Sequence, residues 1–264
     1  MTQDERRLYL LSALLKENPS YRDLHIPKGT DEQKLLLRAL FNIRMPLPAD
    51  DALIAVQDDY LREETRRKGI TDIDALLPTA PGLYLWQGDI TTLRCDAIVN
   101  AANSALLGCF CPNHGCIDNA IHTFAGIKLR LACAELMDRQ GHEEPVGLAK
   151  LTPAFNLPCK YVIHTVGPSV SDRLTQKHCE LLASCYRSCL SLAEKTGAES
   201  IAFPCISTGE FRFPPKIASE IAIGTVKTYL SEKNSRMKVI FDVWKNEDLA
   251  LFCKLLGTAQ TPEA

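Results

Sequence analysis

The densest chemistry in the chain lies between Gly108 and Asp118, in the run Gly-Cys-Phe-Cys-Pro-Asn-His-Gly-Cys-Ile-Asp. Cys109, Cys111, His114 and Cys116 put three thiols and an imidazole within eight positions. Thiolate and imidazole are preferred zinc ligands. Cys109, His114 and Cys116 give the spacing C-x4-H-x-C, with Cys111 as an alternative donor. Four donors would close a structural site, whereas three leave a position for water or substrate. Ile117-Asp118-Asn119-Ala120 follows at once and opens a helical pattern. The free N–H groups of a helix start suit a phosphate. Asp118 is either a helix-start carboxylate favoured by the dipole or, beside the thiols, a base that orients water. His122, one turn further on, is expected to pack in the interior.

Three other segments carry polar residues where short apolar runs end. Gly88-Asp89-Ile90-Thr91 offers a tight turn and a carboxylate able to accept from an exocyclic amine. Asn100-Ala101-Ala102-Asn103 is a small-residue loop that either admits a ligand or satisfies its own backbone. Ser207-Thr208-Gly209-Glu210-Phe211-Arg212-Phe213-Pro214 has the backbone N–H groups to cradle a diphosphate. Phe211 or Phe213 would then lie against a sugar or base.

These segments need a scaffold, and the periodicity supplies one. Residues 3–17 carry leucines at helical spacing, Thr30-Asp31-Glu32-Gln33 reads as a capping box opening a helix through Arg44, and a third helix spans 50–68. Residues 1–80 therefore form an all-helical extension, closed by a Pro78–Gly82 linker. Strands are expected at 83–87, 96–100, 161–166, 200–206 and 239–244, and helices near 118–138, 174–196, 215–231 and 246–256. Alternating strands and helices imply a three-layer α/β/α domain with a largely parallel sheet. Ligands bind beyond the carboxyl ends of such strands, where the motifs fall.

Composition excludes several classes. The chain has 264 residues, 46% apolar and 23% charged, which is globular rather than disordered. A net charge of -2 gives a nucleic-acid role no support. No run approaches the roughly 20 apolar residues of a membrane span, and the N-terminus lacks signal-peptide organisation. The expectation is a soluble cytoplasmic protein whose eleven cysteines are reduced. Cys133, Cys179, Cys185, Cys189 and Cys253 read as small core residues.

Taken in order, GDIT, DAIVNAAN, IDNAIH, YVIHTVGP and FPCISTGEFRFP resemble the macrodomain family, which binds ADP-ribose, over residues 82–258. The Cys/His loop and helical extension resemble its zinc-dependent branch, the bacterial protein-ADP-ribose hydrolases. The resemblance implies a mixed central sheet, one Zn2+ per chain held by Cys109, His114 and Cys116, and ADP-ribose as ligand and product. It places Asp89 at the adenine amine with Ile90 beside it, and Asn100 in the loop near the ligand. Asn103 goes to the proximal ribose and Asp118 becomes the catalytic carboxylate with Asn103 as its aide. The diphosphate falls to Ile117, Asp118, Asn119 and Ala120 and to Ser207, Thr208, Gly209, Glu210 and Phe211. Arg212 departs from the glycine many relatives carry. The implied activity is hydrolytic removal of mono-ADP-ribose from protein side chains, with Asp/Glu linkages expected. The alternatives are a non-catalytic reader with structural zinc and an O-acetyl-ADP-ribose deacetylase. Implied partners are a lipoyl-carrying glycine-cleavage H-like protein and a sirtuin-type ADP-ribosyl transferase.

Overall fold

Three helices come first in the computed structural model, which describes residues 1–21 and 23–258. Helix α1 (Gln3–Glu17) starts at a reciprocal cap, in which the Thr2 hydroxyl accepts from the Glu5 N–H and the Glu5 carboxylate accepts from the Thr2 N–H. Helix α2 (Thr30–Ile43) follows. Its cap position is Gly29 and makes no side-chain bond, because Thr30 is already inside the helix; the capping box expected at Thr30 does not form. Helix α3 (Asp51–Lys68) is capped by Asp50, whose carboxylate accepts from the Ala52 N–H. The apolar faces of the three meet in one core built around Leu10, Leu11, Leu14, Leu37, Leu40 and Leu61. Ile127, from the body of the protein, plugs into the same core and ties the helical layer down.

The chain then enters two sheets. Strand β1 (Thr71–Asp72) pairs in parallel with β4 (Leu93–Arg94). The main sheet is built from β2 (Pro78–Ala80), β3 (Leu83–Gln87), β5 (Ala97–Ala102), β6 (Ala149–Pro153), β7 (Tyr161–Val166), β8 (Ser200–Phe203) and β9 (Lys238–Val243). Its order is β2-β3-β9-β8-β5-β7-β6, parallel inside and antiparallel at both edges. The mixed sheet is thus present. Two of its strands were not expected: the stretch read as a linker supplies β2, and β6 carries too little apolar alternation to announce itself.

Helices cover both faces, as three layers require. On one side lie α4 (Ile117–Ala125) and α5 (Ile127–Gln140), against Ile98, Val162, Ala202 and Ile240. On the other lie α6 (Gln176–Lys195), α7 (Pro215–Lys233) and α8 (Asn246–Leu256), against Val99, Ile163, Phe203 and Phe241. The helix expected over 118–138 is two helices, because Gly126 at φ +89° breaks it; a Cβ there would meet Gln57 Nε2 at 2.6 Å. Strand alternation places Asn100, His164 and Asp242 on the α4/α5 face, although all three are polar and buried. Cys133, Cys185, Cys189 and Cys253 are core residues as expected, while Cys179 is only half-buried. Among the described residues no helix is long and apolar enough to cross a membrane.

Candidate active site

Asp118 sits in the first turn of α4, buried and held from two sides. Asn100 Nδ2, inside β5, donates to its Oδ1 over 2.7 Å, and Asn103 Nδ2, just past the strand, donates to its Oδ2 over 3.4 Å. Burial raises the carboxyl to about 6, against the Asn100 hydrogen bond, which favours ionisation. A carboxylate so placed is a stronger proton acceptor near neutrality than an exposed one. Asn103 also donates to the Gly108 carbonyl, fixing where the Cys/His loop begins. Asn100 is wholly buried behind Asp118, and its amide also meets His164 Nδ1 at 3.1 Å. It therefore acts on Asp118 from below rather than lining the cleft.

The Cys/His loop closes onto the same helix start. Gly108, at φ +83°, lets the loop pass over His122; a Cβ there would lie 2.7 Å from that ring. Cys116 is the N-cap of α4, and its Sγ accepts from the Asn119 N–H at 3.4 Å. Cys109 Sγ lies 3.5 Å from His114 Nδ1, and the ligand atoms of Cys109, His114 and Cys116 all lie within 4.8 Å of one another. Cys111 is exposed and outside this set. From the Ser207–Phe211 loop, Glu210 Oε1 comes within 3.5 Å of His114 Nε2, the ring nitrogen away from Cys109. Burial pushes the Cys116 thiol up to about 12, with Cys109 adding to it. A divalent cation reverses that preference, because a coordinating thiol is deprotonated outright. Two sulfurs and one nitrogen, converging and half-buried, fit zinc.

The remaining expected residues line the same end of the sheet. Asp89 caps a short 3-10 turn: its Oδ1 accepts from the Thr91 N–H and hydroxyl at 3.0 and 2.6 Å, and its Oδ2 from Lys68 Nζ at 2.8 Å. Burial works against ionisation, but Lys68 and Thr91 hold the carboxyl below its ordinary value. Lys68 comes from the end of α3 and also lies over the Phe124 ring at 3.2 Å. Ile90 is buried in the core beside Asp89. Ile117 and Ala120 are half-buried in the first turn of α4, whereas Asn119 is fully buried and turned towards the Cys/His loop. Ser207 and Arg212 have left-handed backbone, at φ +67° and +54°, which bends the Ser207–Phe211 loop sharply between β8 and α7. Phe211 stays half-buried at the loop, but Phe213 is core and is not available to a sugar or base.

A second cluster escaped the sequence reading. His122, Cys133 and His164, from α4, α5 and β7, bring their donor atoms within 4.8 Å, all buried. His164 Nε2 meets the Thr152 hydroxyl at 2.9 Å and Cys133 Sγ at 3.7 Å. Burial lowers the His164 imidazole to about 3 and the His122 imidazole well below its ordinary value, so both are neutral. A histidine inside the apolar run Tyr-Val-Ile-His-Thr-Val was the one available signal. Arg38, Asn42 and Lys68 gave none, because they arrive from the helical extension. Trp244, 71% exposed after β9, flanks the Asp89 turn, where the Gly88 N–H donates to the Val243 carbonyl.

Comparison with known proteins gives three kinds of match. A family model described as Macro domain matches residues 99–222. A protein of Treponema medium named "Protein-ADP-ribose hydrolase" is 55% identical over 261 residues, covering 97% of this chain and 100% of its own. A protein of the same name from Staphylococcus aureus (strain MRSA252) is 48% identical over 246 residues, 92% of each chain. The crystal structure of a Trypanosoma brucei macrodomain in complex with ADP-ribose superposes with a TM-score of 0.65, at 31% identity, covering 83% of this chain and 95% of that one.

Proposed function

The chain belongs to the Macro domain family, and from that premise we propose that it is a zinc-dependent hydrolase removing mono-ADP-ribose from modified protein side chains, Asp/Glu-linked ones foremost. The observation that carries this reading is the convergence on one helix start: a buried carboxylate held by Asn100 and Asn103, with two thiols and an imidazole beside it. A reader needs a cradle for ADP-ribose but no such carboxylate. The names of the two bacterial relatives and the ADP-ribose in the trypanosomal neighbour support the substrate class.

In this reading ADP-ribose lies across the carboxyl ends of the strands. Asp89 takes the adenine amine, sharing its carboxylate with Lys68, and Ile90 forms the floor. The α4 start at Ile117–Ala120 and the Ser207–Phe211 loop take the diphosphate. Asn103 orients a ribose hydroxyl. Asp118 accepts a proton as water forms its bond to the carbon of the ester linkage. The C–O bond breaks, the proton passes to the departing oxygen, and the products are free ADP-ribose and the restored side chain. Zinc, held by Cys109, His114 and Cys116, would supply Lewis acidity towards a substrate oxygen or water, moderated by the charge of two thiolates. A lipoyl-carrying H-like protein modified by a sirtuin-type transferase is the proposed physiological substrate, supported by the family resemblance.

Release of free ADP-ribose from a glutamate-linked mono-ADP-ribosylated protein tests the reading, with O-acetyl-ADP-ribose at equal concentration as competitor. Faster release from the protein supports it. Binding of ADP-ribose with no release from either substrate would make the chain a reader.

A further inference from the structure

We infer that helix α2 is part of the metal centre: Arg38 and Asn42 clasp the Cys109–Cys116 loop in the conformation that brings its donors together. The inference rests on the reading of Cys109, His114 and Cys116 as metal ligands. It goes beyond that reading by giving the helical extension a task at the site.

The clasp reaches each of the three donor residues. Arg38 Nη2 donates to the His114 carbonyl at 3.0 Å. The same guanidinium forks onto Asn119 Oδ1, from Nη2 at 2.9 Å and Nε at 3.3 Å. Asn119, thus oriented, turns its Nδ2 to the carbonyls of Cys111 at 3.0 Å and Cys109 at 3.5 Å. Its own N–H meets Cys116 Sγ. Asn42 completes the arrangement: its Oδ1 accepts from the Asn113 N–H at 2.9 Å, and its Nδ2 donates to the Thr123 hydroxyl at 2.9 Å. That hydroxyl donates in turn to the Asn119 carbonyl at 2.7 Å.

The loop needs such a hold. It has no helix or strand between Gly108 and Cys116, and Asn113, next to the ligand histidine, has left-handed backbone at φ +54°. Asparagine tolerates that backbone better than other residues with a side chain, so the sequence permits this turn without itself holding the loop in place. Asn42 and Asn119 are both almost completely buried, at 1% and 0% exposure, so their hydrogen bonds are not exchanged for water. Ordering the loop during folding spares the metal that entropic loss when it binds. Arg38 suits the task because a planar fork addresses two acceptors at once, which a lysine ammonium does not reproduce. Arg38 and Asn42 are therefore positioning residues, acting through the loop and not on substrate.

The test is a cobalt(II) titration of the full chain, followed by thiolate-to-metal absorption, together with hydrogen exchange of the 109–116 amides. Arg38→Met, Arg38→Lys and Asn42→Ala should each weaken cobalt binding by about 10- to 100-fold, the range for partners that orient metal ligands. Loop amides should exchange faster while β5 and β7 amides stay protected. Gln57→Ala is the control. It removes a different bond from the extension, to the Ile127 N–H, and should lower the melting temperature without touching cobalt affinity. Unchanged affinity and exchange in the Arg38 and Asn42 variants overturn the inference, and so does an equal loss in Gln57→Ala. A wild-type chain that binds no cobalt, with Cys116→Ser behaving identically, removes the metal reading itself. In that case exchange still decides the clasp: faster loop exchange in the Arg38 and Asn42 variants but not in Gln57→Ala upholds it, and unchanged exchange refutes it.

Discussion

Two clusters of imidazole and thiol flank Asp118, and they are built from the same residue types for opposite ends. Cys109, His114 and Cys116 are half-buried and lie on an irregular loop. His122, Cys133 and His164 are wholly buried on two helices and a strand. In the inner cluster His164 already spends both ring nitrogens, on Asn100 and on Thr152 and Cys133, and burial keeps the imidazoles neutral. Its product is a fixed Asn100 amide, and through it a fixed Asp118. In the outer cluster only one short contact joins the donors, Cys109 to His114, and the loop around them is clasped from outside. His122, by contrast, has no hydrogen-bond partner on either ring nitrogen, so committed lone pairs do not by themselves set the inner cluster apart. What separates the two is access: the inner donors are buried, the outer ones half-exposed.

The largest effect is expected where the two clusters meet. Asp118→Asn should slow ADP-ribose release by about 100- to 10,000-fold, the range for general acid–base catalysis, with ADP-ribose binding within a few-fold of wild type. Single-turnover release and calorimetry read the two quantities. Unaltered turnover would break the assignment of Asp118 as base.

Next comes the division between the clusters. Cys116→Ser should lose metal affinity by more than about 100-fold, beyond what orienting partners contribute, while Cys133→Ala leaves metal content unchanged. Elemental analysis of purified chains decides this. Equal metal loss in both variants would erase the distinction. Glu210→Gln should act more weakly, because Glu210 is 75% exposed and reaches only the far nitrogen of His114. A fall of about 10-fold in cobalt affinity is expected, at the low end for such partners. No change there would reduce the Glu210–His114 contact to a surface pairing. The smallest effect falls to the inner cluster. Cys133→Ala should cost about 1 kcal/mol in urea unfolding, by loosening the packing around His164. A loss above about 3 kcal/mol would mark the cluster as something more than support.

How far the sequence disclosed all this follows from distance along the chain. The outer cluster was legible because its donors fall within eight positions, and the Asp118 start followed directly. The layers were legible because the inner strands are short apolar runs separated by helical periods. Edge strand β6 was not, since Lys150 and Pro153 interrupt it and an edge strand need bury only one face. The break at Gly126 was hidden inside a continuous helical period. The inner cluster draws on α4, α5 and β7, and only His164 was out of place in its strand. Arg38 and Asn42 lie 81 and 71 residues from the Asn119 and Asn113 atoms they hold, a separation that no local pattern reveals. Thr30 shows the converse limit: a capping-box sequence lost to a helix that begins one residue early.

The proposed hydrolysis occurs beside the outer cluster and requires a metal bound there. The deciding measurement is ADP-ribose release from a mono-ADP-ribosylated protein before chelation, after it, and after zinc is returned. Turnover should disappear with the metal and return with zinc. Turnover that continues at its original rate in chains shown to be metal-free would contradict it, leaving Asp118 and Asn103 to act alone and the Cys/His loop as scaffold.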